Sequence, residues 1–380
     1  IGDPQVNVGL VAGDGGTGDV LNFDDGGETA NQSGTLTATT ITGFGLATAG
    51  ITYSGFDTIN MLLGSAVDTL VVSNTHAGVT NVNAGAGADF FNVTKLSGTT
   101  TLSGAAGADR FNINYAADGV TQTFRNDIGA ALTLQGDADN DLYYMGLAGT
   151  AQSTITVVDT QVTAGVNLMK VYGTAGVDRF RVQTSNIASM SGSSGSALTG
   201  VLAQINYAGS GFAGEIEMYG QGGDDIIEAN GISVVTRLFG EAGRDTFNIG
   251  DGVGTLGDTT GTMNQVTALV TIDGGTSTTG TTADADIVNL DDGGDTSSNT
   301  GTMTDALVSG LSTGGVAYLN VETLKVWLGT AGNTFNIQST NASTPVTVTD
   351  GAGSSTFNIG TDTTSTSDTA GVVNNIRSLV

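Results

Sequence analysis

The chain has no cysteine, only two prolines and one histidine, and ten lysines and arginines in 380 residues. Without cysteine there is no disulfide framework, no thiolate metal site and no cysteine nucleophile. Ten basic residues spread along the chain cannot form a stripe that tracks phosphates, so nucleic acid is excluded as an expected partner. No apolar run approaches the ~18 residues of a membrane-crossing helix, so membrane insertion is not expected either. The lone His76 has no acid or nucleophile pattern around it and reads as a loop residue. Polysaccharide-cleaving sites need paired carboxylates or a base gathered in one groove. The basic residues here do not cluster, and no enzyme is expected.

Glycine and acid are abundant. Sixty residues are Gly, Asp and Glu total 37, the formal net charge is −27, and 38% of residues are hydrophobic. Such apolar content, regularly spaced, is too high for simple disorder. Much Gly, Thr and Asp with few helix formers predicts an all-β chain rich in turns.

A short pattern recurs: a Gly-rich turn ending in Asp, then a strand alternating apolar and polar residues. It reads Gly85-Ala-Gly-Ala-Asp89-Phe-Phe-Asn-Val93, then Gly104-Ala-Ala-Gly-Ala-Asp109-Arg-Phe-Asn-Ile113, and later Gly240-Glu-Ala-Gly-Arg-Asp245-Thr-Phe-Asn-Ile249. Weaker copies place Asp68, Asp178 and Asp225 in the same slot, and two late copies put Asn333 and Ser355 there. Slots stand 20 to 22 residues apart, with wider gaps near twice that. One coil of a right-handed parallel β-helix, a β-solenoid of about 20–22 residues per coil, has this period. Phe and Ile of Phe-Asn-Ile share a face and are expected to point inward, with Asn pointing out. The glycines are expected to supply positive φ at the corners.

A larger repeat lies above the coil. Asp19-Val-Leu-Asn-Phe-Asp-Asp-Gly-Gly-Glu-Thr29 matches Asp286-Ile-Val-Asn-Leu-Asp-Asp-Gly-Gly-Asp-Thr296 at an offset of 267, and Gly34-Thr-Leu-Thr37 matches Gly301-Thr-Met-Thr304 at the same offset. Three super-repeats are read, at about 1–132, 133–270 and 271–380, within one continuous solenoid over 1–380. Sequence near both ends resembles the interior of the repeat. This predicts an excerpt of a longer array, continued covalently or by copies associating end to end.

The pattern Gly-x-(Ala/Gly)-Gly-x-Asp, as in Gln221-Gly-Gly-Asp-Asp-Ile226 and Glu241-Ala-Gly-Arg-Asp-Thr-Phe247, resembles the haemolysin-type (RTX) calcium-binding nonapeptide. The long Thr/Gly/Asp repeats are also similar to those of giant bacterial surface proteins. The resemblance implies secretion, an extracellular or cell-surface location and Ca²⁺ at acidic corners. Calcium takes six to eight oxygens from carboxylates, carbonyls and water. The expected ligands are Asp14, Asp19, Asp24, Asp25, Asp137, Asp139, Asp141, Asp273, Asp284, Asp286, Asp291 and Asp292, with Asp68, Asp89, Asp109, Asp178, Asp224, Asp225 and Asp245 as weaker candidates. A competing reading treats Asp as a turn residue folding its carboxylate onto a nearby backbone N–H, which Asn333 and Ser355 can also do.

The expected role is a structural repeat segment of a secreted surface protein, fibre or surface layer. The alternatives are an adhesin that recognises glycans or a cell surface and, third, a polysaccharide-active β-helix enzyme. Arg110, Arg179, Arg181 and Arg244 flank motif acids and are expected to make exposed ion pairs.

Overall fold

The computed structural model describes residues 8–12, 17–114, 127–147, 153–159, 166–191, 199–207, 212, 214–250, 261–275, 285–360, 373 and 375–377. All regular structure in them is β. The chain forms two compact units, Ile1–Val171 with Leu202–Gly214, and Tyr172–Val201 with Glu215–Val380.

In the first unit successive strands alternate between two sheets. Thr69–Val72, Phe90–Val93, Arg110–Ile113 and Leu142–Gly146 pair in parallel in one sheet. Thr58–Leu62, Val79–Asn83, Thr100–Ser103, Leu132–Gln135 and Ile155–Val158 do so in the other. Thr69 pairs with Phe90 and Phe90 with Arg110, so the chain returns beside itself every 20 or 21 residues, as the slot spacing predicts. The next step, from Arg110 to Leu142, carries an insertion.

Parallel in-register pairing places like side chains on top of one another. Phe91, Phe111 and Tyr143 stack with centroids 4.9 and 5.1 Å apart and planes nearly parallel. All three are buried with Val93, Ile113 and Met145. One coil has no second layer of its own to cover these faces, so its neighbours supply it. On the opposite face the expected Asn positions align as amide ladders. Asn81 Nδ2 donates to Asn60 Oδ1 (3.0 Å), Asn60 Nδ2 to Asn22 Oδ1 (2.9 Å), and Asn112 Nδ2 to Asn92 Oδ1 (2.7 Å). Asn112 is itself buried, capped by Nε of Arg110 at 2.8 Å, so facing away from the apolar core does not leave it exposed.

The second unit repeats the plan. Arg179–Val182, Ile226–Ala229, Thr246–Ile249, Ile287–Asp291, Thr323–Trp327 and Val346–Thr349 form one parallel series. Thr300–Met303, Thr334–Ile337 and Thr356–Ile359 form another. Phe180, Phe247 and Phe335 are buried, and Trp327 lies half-buried.

Each unit also holds an antiparallel insert that no coil pattern predicts. Thr40–Gly43 runs between Ser33–Leu36 and Ile51–Ser54. Leu307–Ser309 runs between Thr300–Met303 and Val316–Leu319. These are the two copies of the 267-residue repeat. Gly43 and Gly310 make the same tight turn at φ 83° and 81°. The hydroxyl of Tyr318 donates to the carbonyl of Thr304 at 2.6 Å, and Tyr53 does the same to Thr37.

Candidate functional site

The motif acids form ladders. In the first unit the N–H of Gln32 donates to Oδ1 of Asp68 (2.8 Å), that of Asp68 to Asp89 (2.7 Å), that of Asp89 to Asp109 (2.8 Å), and that of Asp109 to Asp141 (2.8 Å). The N–H of Asp141 then donates to Oδ1 of Asn167 (2.9 Å). In the second unit Asp178, Asp225, Asp245 and Asp286 make the same series at 2.7 to 2.8 Å, and the Asp286 N–H meets Oε2 of Glu322 at 2.9 Å. One oxygen of each slot side chain thus caps the backbone of the preceding coil. All eight slot aspartates are buried. A buried N–H left unpaired costs about 1–3 kcal/mol, so each slot oxygen secures the seam between two coils.

The geometry explains the glycines in a way the sequence reading did not. Positive φ falls four residues before the slot, at Gly85, Ala105, Asp137, Gln221 and Glu241, and two before it, at Gly87, Gly107, Asp139, Gly223 and Gly243. Most residues at the first of these positions are not Gly. The glycine five residues before the slot is needed for a different reason. A Cβ on Gly104 would stand 1.9 Å from Oδ2 of Asp109, on Gly136 2.2 Å from that of Asp141, and on Gly240 2.3 Å from that of Asp245. At these corners the slot carboxyl lies against a bare Cα, whereas Leu63 stands in that place before Asp68. Ala84 occupies this place before Asp89, which shows that a small shift can accommodate a methyl there.

The alternating acids of Asp137-Ala-Asp139-Asn-Asp141 therefore divide into two left-handed turn residues and one slot. Asp137 and Asp139 have φ 71° and 76°, which Asp tolerates better than most residues. Oδ2 of Asp137 accepts from the Ser103 hydroxyl at 2.7 Å. The acidic turns also cap backbone locally. Oδ1 of Asp24 accepts from Gly26 N–H (3.0 Å) and Oδ1 of Asp291 from Gly293 N–H (3.1 Å). Asp24 is exposed and Asp25 half-buried, whereas Asp291 and Asp292 are buried. Asp292 takes Met263 N–H on Oδ1 (3.0 Å) and Asn299 Nδ2 on Oδ2 (3.0 Å), and burial pushes its carboxyl up to about 7. Burial also raises Asp25. Asp19 donates its N–H to Asp57, and Asp273 Oδ1 accepts from Gly275 N–H (3.2 Å) and Asn320 Nδ2 (2.8 Å). Asp14 and Asp284 lie outside the described residues. Among the described residues, no three His, Asp or Glu side chains converge as a ligand set for a metal ion.

The arginines split. Arg244 pairs with Asp224 at 2.8 Å on the surface, as expected, and holds the Asp224 carboxyl below its ordinary value. Arg181 instead makes a largely buried pair with Glu228 at 2.8 Å. Arg110 lies over the Tyr144 ring at 4.2 Å.

Each copy of the antiparallel insert stands beside a cavity. The first, about 590 Å³, is lined by Tyr53, Phe56, Asp57 and His76 among others; the second, about 420 Å³, by Asp305, Thr340, Asn341 and Arg377 among others. Asn341 is the counterpart of His76. His76 Nδ1 lies 3.3 Å from the Thr80 hydroxyl, and burial holds the ring below its ordinary value. Asp57 and Thr75, at the first cavity, are committed to backbone, while Nε2 of His76 is buried without a partner. Asp57 Oδ2 takes Gly18 N–H and Asp19 N–H at 2.6 and 3.0 Å, and Thr75 Oγ1 takes Ser97 and Gly98 N–H.

Comparison with known proteins finds no family model, no curated protein and no solved structure that matches this chain.

Proposed function

We propose that this chain is a non-enzymatic structural segment, a right-handed parallel β-solenoid within a secreted bacterial cell-surface protein, fibre or surface layer. The observation that carries this reading is the use of the motif residues. Asp, Asn and Phe, the three most regular features of the sequence, each bond or stack onto the equivalent residue one coil away. Among the described residues they hold coils to coils. Such an element resists extension because its described coils are tied to one another through backbone and slot ladders, reinforced in places by amide and ring ladders. Association end to end, or covalent continuation of the array, supplies the next coil.

Electron microscopy of the purified chain tests the reading. Thin rods of uniform width support it. Compact particles of similar length and width would overturn it.

Calcium is a separate proposal that rests on the RTX resemblance alone. A melting midpoint that rises with added Ca²⁺ and falls with a chelator supports it, and an unchanged midpoint removes it. Recognition of glycans or a cell surface is the second reading, favoured by the repeated cavities beside Tyr53 and Thr340. A glycan array would decide it.

A further inference from the structure

The larger of the two repeated cavities is built from three successive coils. Ser54, Thr75 and Ser97, which follow one another at 21 and 22 residues, all line it. Glycine lets these corners pack closely. A Cβ on Gly78 would stand 2.2 Å from the Asp57 carbonyl and 2.6 Å from Nε2 of His76, and one on Gly98 2.1 Å from the Gly78 carbonyl. Both nitrogens of His76 are turned to protein, Nδ1 to the Thr80 hydroxyl at 3.3 Å and Nε2 buried beside Gly78. The hydroxyl of Tyr53 is spent on the Thr37 carbonyl, and its ring meets the imidazole edge-on with centroids 6.3 Å apart. These two rings are wall.

The groups that remain open are few. Phe56 is half-buried and lines the same space. Asp57 is exposed; its Oδ2 is held by the N–H groups of Gly18 and Asp19, which fixes the carboxyl and leaves Oδ1 with no partner among the described residues. Thr39 and Ser54 add exposed hydroxyls, likewise without a partner among the described residues. Among the described residues no lysine or arginine lines the cavity.

These groups select a ligand. Asp57, in a chain of net charge −27, repels an anion. An ammonium is held over open aromatic faces, but Tyr53 is only 4% exposed and Phe56 stands alone. A fixed carboxylate oxygen matches hydroxyl donors, the hydroxyls of Thr39 and Ser54 match others, and the Phe56 ring matches an apolar C–H face. A neutral sugar ring carries all of these at once. The cavity volume of about 590 Å³ lies within the roughly 300–1,000 Å³ of small-ligand sites.

We propose that this cavity binds a neutral saccharide, stacked on Phe56 with its hydroxyls donating to Oδ1 of Asp57. The proposal rests on the second functional reading, recognition of glycans, and gives that reading one site. The other copy of the repeat is the contrast: its cavity is lined by Asp305 and Arg377, has no aromatic ring among its lining residues, and lacks the apolar wall.

His76 is the only imidazole of the chain, so its ring protons report on this cavity alone in proton NMR. Titration of the intact chain with glucose, galactose, mannose, N-acetylglucosamine and their disaccharides is expected to shift the His76 resonances saturably for at least one of them. Glucuronate, choline and calcium chloride are expected to leave them in place. Asp57→Asn, which keeps an oxygen for the backbone and loses the carboxylate, is expected to weaken binding about tenfold or more, and Phe56→Ala by a similar factor. Asn341→Ala, at the other cavity, should change nothing. No saturable shift with any of these sugars overturns the proposal, and so does a response to glucuronate, choline or calcium chloride in their place. Retention of the chain on a glycan array while the His76 resonances stay unmoved overturns this site and leaves glycan recognition standing. Should the variants fail to fold, the titrations of the unaltered chain decide alone.

Discussion

Two rows of corners in the second unit make the same bond with different chemistry. In one, Asp225 and Asp245 cap the N–H of Asp178 and Asp225. In the other, Asn333 and Ser355 cap the N–H of Asn299 and Asn333 at 2.9 and 3.0 Å. The corner needs one acceptor oxygen from the following coil, and carboxyl, amide and hydroxyl all supply it. The rows differ in the second atom of the side chain. Asn333 donates to its own corner carbonyls, Ser355 donates to Asp350 Oδ1 at 2.6 Å, and Asp225 has only an oxygen to place there. The capping bond is what the fold requires, and charge at the slot is incidental to it.

The comparison can be broken at the core, where the rows should not differ. Phe247 follows the Asp row and Phe335 the Asn row, and both are fully buried. Phe247→Ala and Phe335→Ala are each expected to cost about 3–5 kcal/mol in denaturant unfolding. A gap between them much beyond about 1 kcal/mol would mean that the rows differ in packing rather than in the corner. The slot itself gives the next effect. Asp225→Ala leaves the buried Asp178 N–H unpaired and Asn333→Ala the half-buried Asn299 N–H, and each is expected to cost about 1–3 kcal/mol at pH 6. At pH 9 the loss for Asp225→Ala should shrink, because burial pushes the carboxyl it removes up to about 9 and its contribution is lost as pH rises through that value, while the loss for Asn333→Ala stays constant. Equal pH dependence in the two variants would erase the distinction between the rows. Ser355→Ala should have the smallest effect, about 0.5–1.5 kcal/mol, because this corner is only half-buried.

Much of the coil was legible from the residues. The 20- and 21-residue slot spacing became the strand register, and Phe and Ile of Phe-Asn-Ile turned inward at Phe111, Phe247 and Phe335, because a period of two and a fixed coil length leave little freedom; in the last described strand Phe357 and Ile359 stay exposed. The 267-residue repeat reappeared as two copies of one antiparallel insert, although the insert itself was not foreseen, since Thr40–Gly43 carries the same alternation as any coil strand. The slot was harder to read. Spacing shows that Asp89 and Asp109 are equivalent, but not that one caps the backbone of the other. Reading every Gly as a source of positive φ hid the role of Gly104 and Gly240, whose missing Cβ makes room for a carboxyl. Ala105, Gln221 and Glu241 take the left-handed conformation without being Gly, which no residue-type rule announces. The buried partner of Arg181 went unseen because Glu228 stands 47 residues away.

The bond from each slot to the coil before it also governs how such a chain can change length. Excising residues 90–109 would bring Asp89 next to Arg110, and the N–H of Asp89 would then face the carboxyl of Asp141 in place of Asp109. The seam closes with the same chemistry. Removing half as many residues would set a strand where a corner belongs and leave no oxygen for that N–H. Losses that cut through a strand or corner are thus tolerated only in whole coils, whereas an insertion between corners, as before Leu142, leaves the ladder bond intact, and the ladder acts as a reading frame for the fold.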